Sequence, residues 1–411
     1  MPRRSVTLVE FSPSGGLFHF AVQLGEALAS GGHDVQVVTG PRPELRPTHP
    51  GLCIRSVLPT WHPAAGRPEP VLLRKSRRLL RAARYLTAWL VLERYLARSR
   101  PDAVLFGEWR FPLDAWFVRR LARRAQPPVL LDVAHAPLPF NEQRQTGEVF
   151  RTSPRLTRAL RQAYGCMDAV LVLGERSRRD LLGAWPEVRR VEVIPHGNEA
   201  IFVRAPVPPP DHCPPRILFF GTLTTYKGLD VLLDAFALLR RRLPDAALVM
   251  AGAPSADVDA AALRRRAALI GNVDVRPAYV PMEAVGALFG AARVVAAPYL
   301  FANASGVVHL AQTFGRPVVA SSVGDLPEAV RDGETGLLVP PGDATALAGA
   351  LERLLRDPAL AARLGAAGAA RLAAEGSWAE VAARVEAVIE DCVAGRTDPR
   401  RDLEPHVEPQ R

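Results

Sequence analysis

The chain has 411 residues, of which 48% are hydrophobic and 23% charged, and a formal net charge of +10. That length exceeds what one hydrophobic core usually serves, so two domains of similar size are expected, and the composition is that of a folded globular protein rather than a disordered one. The positive excess is carried by arginine and favours acidic partners such as phosphates, nucleotide sugars or an anionic membrane surface; a GC-rich genome also inflates arginine, and no motif calls for nucleic acid.

Four scattered cysteines, Cys53, Cys166, Cys213 and Cys392, lack the paired spacing of a zinc site or a disulfide framework. A reducing cytosol fits them. Behind Arg3 and Arg4 the apolar run ends at Glu10, too soon for a signal peptide, and the longest apolar stretch, 85–92, is too short to cross a bilayer. A cytoplasmic protein is expected, either free or peripheral on the inner face of the membrane.

Residues 6–11, 35–39, 53–58, 103–106, 129–133, 169–173 and 191–194 read as strands, with helices at 17–30, 113–124, 155–164 and 176–184. Continuous Val/Leu strands separated by helices predict a parallel sheet covered on both faces, here a first domain over 1–200. The Pro-rich run 205–215 cannot be regular structure, because proline lacks an amide donor and restricts the residue before it. A linker is assigned to 201–215. The plan then repeats, with strands at 217–220, 247–251, 273–275, 294–297, 318–321 and 337–339 and helices at 344–355, 358–374 and 378–393. This gives a second domain over 216–376, a last helix over 377–395 and a charged, disordered tail from 396 to 411.

Two strand-to-helix loops carry the clearest chemistry. After the strand 217–220 comes Gly221, then Thr222 and, at the end of the loop, Lys227 and Gly228; the pattern lacks the Gly before Lys and the Ser/Thr after it that a P-loop needs. After the strand 294–297, Ser305 and Gly306 open a helix whose first amides and dipole suit a phosphate, although Ser305 acting as a cap fits the residues equally well. Side by side on one sheet edge, the loops would offer a lysine and a helix N-terminus to a diphosphate.

Pro13, Ser14, Gly15 and Gly16 follow the first strand, but no G-x-G-x-x-G is present and Thr39 and Gly40 end the second strand without an acidic residue, so a nicotinamide cofactor is not expected. His135 closes the strand 129–133, at the edge where such sheets place their sites. His196 and Gly197 read as the turn that ends the first half. Asp257 and Asp259 have the spacing of a metal pair but precede a helix, so capping explains them better and no metal is expected. Arg74, Arg77, Arg81 and Arg84 share one helical face opposite Leu79, Ala83, Leu86 and Leu90, which reads either as a solvated face over a packed one or as an interfacial helix on anionic lipid.

Taken in order, these segments resemble the retaining glycosyltransferases of family four, which have the GT-B fold of two Rossmann-like parallel-sheet domains facing a central cleft. The resemblance runs through Gly15 and Gly16, through Gly32, His33, Asp34 and Val35, and through Ile194, Pro195, His196 and Gly197. It continues through Tyr226, Lys227, Gly228 and Leu229, through 315–321, through 324–328 and through 332–340. It implies a nucleoside-diphosphate sugar held by the second domain as substrate rather than cofactor. It also implies a hydroxyl acceptor held by the first domain, and a last helix that crosses back onto that domain. The reaction class is hexosyl transfer, in polysaccharide, glycoconjugate or natural-product synthesis, on a glycan, a lipid-linked glycan or a small molecule.

By this resemblance Lys227 holds the diphosphate, His135 stands near the transferred sugar and Gly16 faces the phosphates. The remaining donor contacts implied are Gly221, Thr222, Asn303, Ser305, Gly306, Val307, Val308 and Leu310. Three positions depart from the family pattern. Thr222 stands where an arginine is usual, and the two glutamates that bracket the helix start are replaced by Ala302 or Asn303 and by Leu310. These losses keep open a catalytically silent binding subunit, and the fold also admits a sugar-nucleotide epimerase or a glycoside phosphorylase.

Overall fold

Two parallel sheets, each with helices on both faces, organise the chain in a computed structural model that describes residues 2–60, 71–107, 111–136 and 154–397, the first eight of the second stretch and residue 397 by backbone alone. The first sheet has seven strands, β1 (Ser5–Glu10), β2 (Asp34–Thr39), β3 (Leu52–Ser56), β4 (Ala103–Phe106), β5 (Val129–Val133), β6 (Ala169–Val172) and β7 (Val191–Val193), in the order β3-β2-β1-β4-β5-β6-β7. The second has six, β8 (Arg216–Phe220), β9 (Ala247–Ala251), β10 (Val273–Arg276), β11 (Val294–Ala297), β12 (Val318–Ser321) and β13 (Gly336–Val339), in the order β10-β9-β8-β11-β12-β13. β1, β4, β5, β6 and β11 are buried almost throughout, as expected of strands sandwiched between helical layers.

In each sheet the order reverses beside the first strand, and that reversal positions the site. Val6 pairs with both Val35 of β2 and Ala103 of β4. Ile217 pairs with Leu248 of β9 and with Val294 of β11. The loops leaving β8 and β11 therefore diverge to opposite faces from neighbouring strands and leave a crevice at the carboxyl edge.

Helix α1 (Gly16–Ser30) follows β1 and buries Phe18, Leu24 and Leu28 against the sheet. The last helix, α13 (Trp378–Thr397), joins that same core through Val381, Val385 and Ile389. Its indole at Trp378 packs 5.0 Å from the Phe20 ring and donates to the Asn198 carbonyl at 2.8 Å. Arg4 adds a two-pronged ion pair with Glu390, both contacts 2.7 Å. The helix outlasts the expected start of the tail at 396: Arg396 donates to the Pro127 carbonyl at 2.6 Å and pairs with Asp168, so its cation ties the helix end down. The remainder of the expected tail, 398–411, lies outside the described residues.

Two other expectations change. The segment 201–215, expected to hold no regular structure, forms short 3₁₀ turns at Ala200–Phe202 and Pro210–His212, and Cys213 is buried. The fully buried Arg316 anchors it, bonding the Pro208 carbonyl and the Cys213 sulfur, the latter at 3.4 Å. On α2 (Val71–Ser99), the residues facing the core are Tyr85, Ala88, Trp89, Leu92 and Leu96. Leu79, Leu86 and Leu90 point to solvent, and Arg81 and Arg84, on the opposite face, are exposed as well. The helix has two apolar stripes, and the one with the aromatic rings and their larger area is the one buried. Among the described residues no helix is long and apolar enough to cross a membrane.

The domains also meet through carboxylates. Asp325 and Glu328, at the short helix α10 (Leu326–Ala329), reach the open N-terminus of α5 (Glu175–Ala184) in the other domain. Glu328 accepts the amides of Glu175 and Arg176 at 3.0 and 3.1 Å, and Asp325 accepts the Ser177 amide at 3.0 Å and its hydroxyl. First-turn amides have no partner within their own helix and carry the positive end of the dipole, so carboxylates from across the interface satisfy both. Trp378→Ala should lower unfolding free energy by about 3 kcal/mol, the usual cost of emptying an aromatic site, seen as a lower urea midpoint; an unchanged midpoint would show that α13 is not held through this ring.

Candidate functional site

A cavity of about 520 Å³ opens between the two sheet edges. Its first-domain wall includes Gly16, His19, Glu44 and His135, and its second-domain wall Gly221, Thr222, Lys227, Asn303, Ser305, Gly306, Val307 and Leu310. Of the residues named from sequence, Val308 alone stands behind the wall: it is fully buried and its amide is taken by the Ser305 carbonyl at 3.1 Å.

Lys227 owes its position to three constraints. The loop before it is held by Asp257, which accepts the Thr225 amide at 2.9 Å and the hydroxyls of Thr224 and Thr225 at 3.0 and 2.6 Å. Partial burial would push that carboxyl up, but these bonds and one from Ser255 hold it down at about 2, so it stays charged. Gly228 then turns the chain at φ 72°, where a Cβ would come within 2.0 Å of the Pro298 carbonyl, and only glycine allows that approach. The Leu300 amide donates to the Tyr226 carbonyl at 2.8 Å, which fastens the two crevice loops to each other. The Lys227 ammonium ends 5.5 Å from the centre of the Tyr299 ring, and burial brings it down to about 8.

The opposing loop leads into α9 (Gly306–Thr313). Ser305 makes no side-chain cap; instead its carbonyl accepts both the Val308 amide and, at 2.9 Å, the His309 ring. The amides of Gly306 and Val307 precede the first helical acceptor and line the cavity, which leaves them to an anion. Beneath them Gly324, at φ 55°, passes so close to the Ala302 carbonyl that a Cβ would lie 1.8 Å from it. Asn303 is only 8% exposed, lines the cavity, and its Nδ2 has no hydrogen-bond partner among the described residues, a donor waiting for an acceptor. Leu310 presents an apolar wall and Thr222 an exposed hydroxyl at the rim.

Across the cleft His135 packs edge-on to Phe20 at 4.8 Å, and burial, with a smaller effect of neighbouring His196, brings its imidazole down to about 3. It is neutral at physiological pH and able to donate through one nitrogen and accept through the other. His196 is more than a turn residue: it is buried, stacked at 4.2 Å on His309 of the other domain.

Sequence reading missed three cavity residues. Glu199 is 6% exposed, accepts from Gln23 at 3.2 Å and lies 3.6 Å from where a Cβ on Gly306 would stand. Burial pushes its carboxyl up to about 8. A carboxyl thus stands at the start of α9 although positions 303 and 310 have none. Glu44 lies against the start of α1, where Oε2 accepts the Gly15 amide at 3.2 Å and the His19 ring at 2.8 Å, and Oε1 accepts the hydroxyl of Tyr279 from the second domain. The one sequence signal for Glu199 is its place two residues after Gly197; Glu44 and Tyr279 give none, because each lies in an irregular loop.

The chain matches the family described as Glycosyltransferase Family 4 over residues 14–199 and that described as Glycosyl transferases group 1 over residues 214–357. It is 31% identical to a D-inositol 3-phosphate glycosyltransferase of Acidothermus cellulolyticus over 93% of this chain and 87% of that one. Against the protein of the same name from Corynebacterium diphtheriae, identity is 38% but the match spans only 42% of either chain. Among solved structures, a sucrose-phosphate synthase from Thermosynechococcus elongatus superposes with a TM-score of 0.73 at 24% identity, covering 96% of this chain and all of the other. Anabaena HepE in complex with UDP and glucose superposes with a TM-score of 0.68 at 16% identity, covering 95% and 100%. At these identities the two superpositions establish the GT-B fold, and the sequence matches across both halves establish that the chain belongs to glycosyltransferase family 4.

Proposed function

We propose that the chain transfers a sugar from a nucleoside-diphosphate sugar to an acceptor hydroxyl, with retention at the anomeric carbon and without a metal ion. The observation that carries this reading is the meeting of the Lys227 ammonium with the Gly306 and Val307 amides in the interdomain crevice. As the glycosidic bond to the diphosphate breaks, negative charge grows on the leaving oxygens, and fixed donors aimed there stabilise the transition state more than the ground state. The acceptor hydroxyl attacks from the face the diphosphate leaves, and its proton passes to a donor phosphate oxygen. Asn303 Nδ2 donates to a sugar hydroxyl in place of the absent carboxylate, and neutral His135 bonds the sugar from the other wall. Glu199 is protonated near neutrality and adds no charge beside the diphosphate. The UDP bound by HepE makes UDP the first nucleotide to test.

The solvent face of α2 supports a membrane contact. Leu79 is 74% exposed and Leu80 53%, with Leu86 and Leu90 further along the Leu79 face and Arg81 and Arg84 exposed on the opposite face. Exposed apolar side chains, with arginines on the same stretch of helix, suit the interface of an anionic bilayer. The side chains of Arg74 and Arg77 lie outside the described residues. Vesicles containing phosphatidylglycerol should sediment the protein, and Leu79→Glu with Leu86→Glu should abolish this; sedimentation indifferent to lipid charge would remove the contact.

Lys227→Ala should depress turnover by roughly a hundredfold, the scale of losing one preorganised charge donor, and undiminished transfer would refute the role. Because Lys227 loses its proton near pH 8 when the crevice is empty and a diphosphate favours the charged form, UDP affinity should fall as pH rises above about 8. Lys227→Arg should hold its affinity to higher pH, since guanidinium stays charged, and a wild-type affinity flat from pH 7 to 10 would contradict the contact.

Glu199 yields a stability test. Its folded pKa, near 8, lies above its ordinary 4.5, so the folded state binds the extra proton between those values and its contribution is complete below 4.5 and lost as pH rises through 8. Urea unfolding should show wild type losing on the order of a few kcal/mol between pH 5 and 8.5 relative to Glu199→Gln, and parallel curves would place the carboxyl in water.

A further inference from the structure

Among the described residues, Glu44 is the cavity carboxylate that the transfer reaction above leaves without a task. It is bonded to both domains, through the Gly15 amide and His19 on one side and the Tyr279 hydroxyl on the other, so it cannot swing out of the cleft without breaking all three contacts. The amide it takes belongs to the residue just before α1, the place where the sequence pattern would seat a phosphate. Although partial burial alone would push its carboxyl up, the bonds from His19 and Tyr279 hold it at about 2. The cleft is therefore polarised: Lys227 and free amides on the second-domain wall, a fixed carboxylate on the first-domain wall.

We propose that Glu44 selects the acceptor, admitting neutral or amine-bearing polyols and excluding phosphorylated ones. The inference rests on the transferase reading, because it takes the first-domain wall to be the acceptor side. Two effects oppose a phosphorylated acceptor. Its charge would be repelled by the Glu44 carboxylate and by the donor diphosphate, and the Gly15 amide is already taken by Glu44. A neutral hydroxyl meets the opposite situation. Three of the four lone-pair positions of Glu44 are used by the contacts above, and the fourth can accept a hydrogen bond.

Calorimetry with glucose and glucose 6-phosphate as probes, in the presence of UDP, tests this on the full chain. Wild type should bind glucose 6-phosphate more weakly than glucose. Glu44→Gln keeps the shape and removes the charge, and should bind glucose 6-phosphate about tenfold more tightly than wild type, with glucose affinity within about threefold, as expected for removing one charge of like sign from a partly solvated site. Glu44→Ala removes the charge with a different shape and should show the same gain, which guards against a variant that fails to fold. Glucose 6-phosphate bound no better by either folded variant, or bound by wild type as well as glucose, overturns the proposal. UDP binding in the same titrations separates the two readings: a wild type that binds no UDP sinks the donor site, whereas UDP binding with unchanged phosphosugar affinity sinks only the role of Glu44.

Discussion

The parallel pairing of β8 with β11 is the constraint on which the rest of the site depends. Parallel neighbours must be joined by crossover helices, and because β9 lies on one side of β8 and β11 on the other, the two crossovers leave on opposite faces and cannot fill the space between their starting loops. That space receives Lys227 from one loop and the first amides of α9 from the other. The same reversal beside β1 in the first sheet supplies the opposite wall.

Charge is placed by carboxylates that never need to touch a substrate. Asp257 ties down the loop that carries Lys227, and Asp325 and Glu328 cap a helix of the other domain. Asp257 stays charged at half burial because a backbone amide and hydroxyls replace the water it has lost, whereas burial still pushes the Asp325 carboxyl up and Glu328 is exposed. The segment from Gly324 to Glu328 is thus an interface device as much as a loop: its glycine lies against Ala302 and its two acids reach across the domain boundary. The depressed ammonium of Lys227 and the raised carboxyl of Glu199 show the converse, groups buried without a compensating ion and so biased toward neutrality.

The alternation of Val-rich strands and helices was legible because a parallel sheet buried on both faces writes itself as uninterrupted apolar runs, and 217–220 and 294–297 are such runs. Lys227 and Gly228 were legible for the same reason, being anchored to a strand end only a few residues away. Glu44, Tyr279 and Glu199 were not, since they reach the cleft from three segments far apart in the chain and each sits among residues with no periodicity. The outer face of α2 was misassigned because Leu79, Leu86 and Leu90 repeat at helical spacing as regularly as Tyr85, Trp89, Leu92 and Leu96 do. Only packing shows that the ring-bearing stripe won. The Pro-rich run read as an irregular linker, and a sequence does not reveal that Arg316, a hundred residues on, donates to its Pro208 carbonyl.

The return of α13 to the first domain means that the chain crosses between domains twice, near 198–200 and near 376–378. The crossings are stitched together, the Asn198 amide to the Gly376 carbonyl at 3.0 Å and the Trp378 indole to the Asn198 carbonyl. Two covalent crossings fused at one place act as a single pivot line rather than a loose tether. Any rotation of one domain against the other would turn about that line, and it would have to break the bond between the Tyr279 hydroxyl and Glu44.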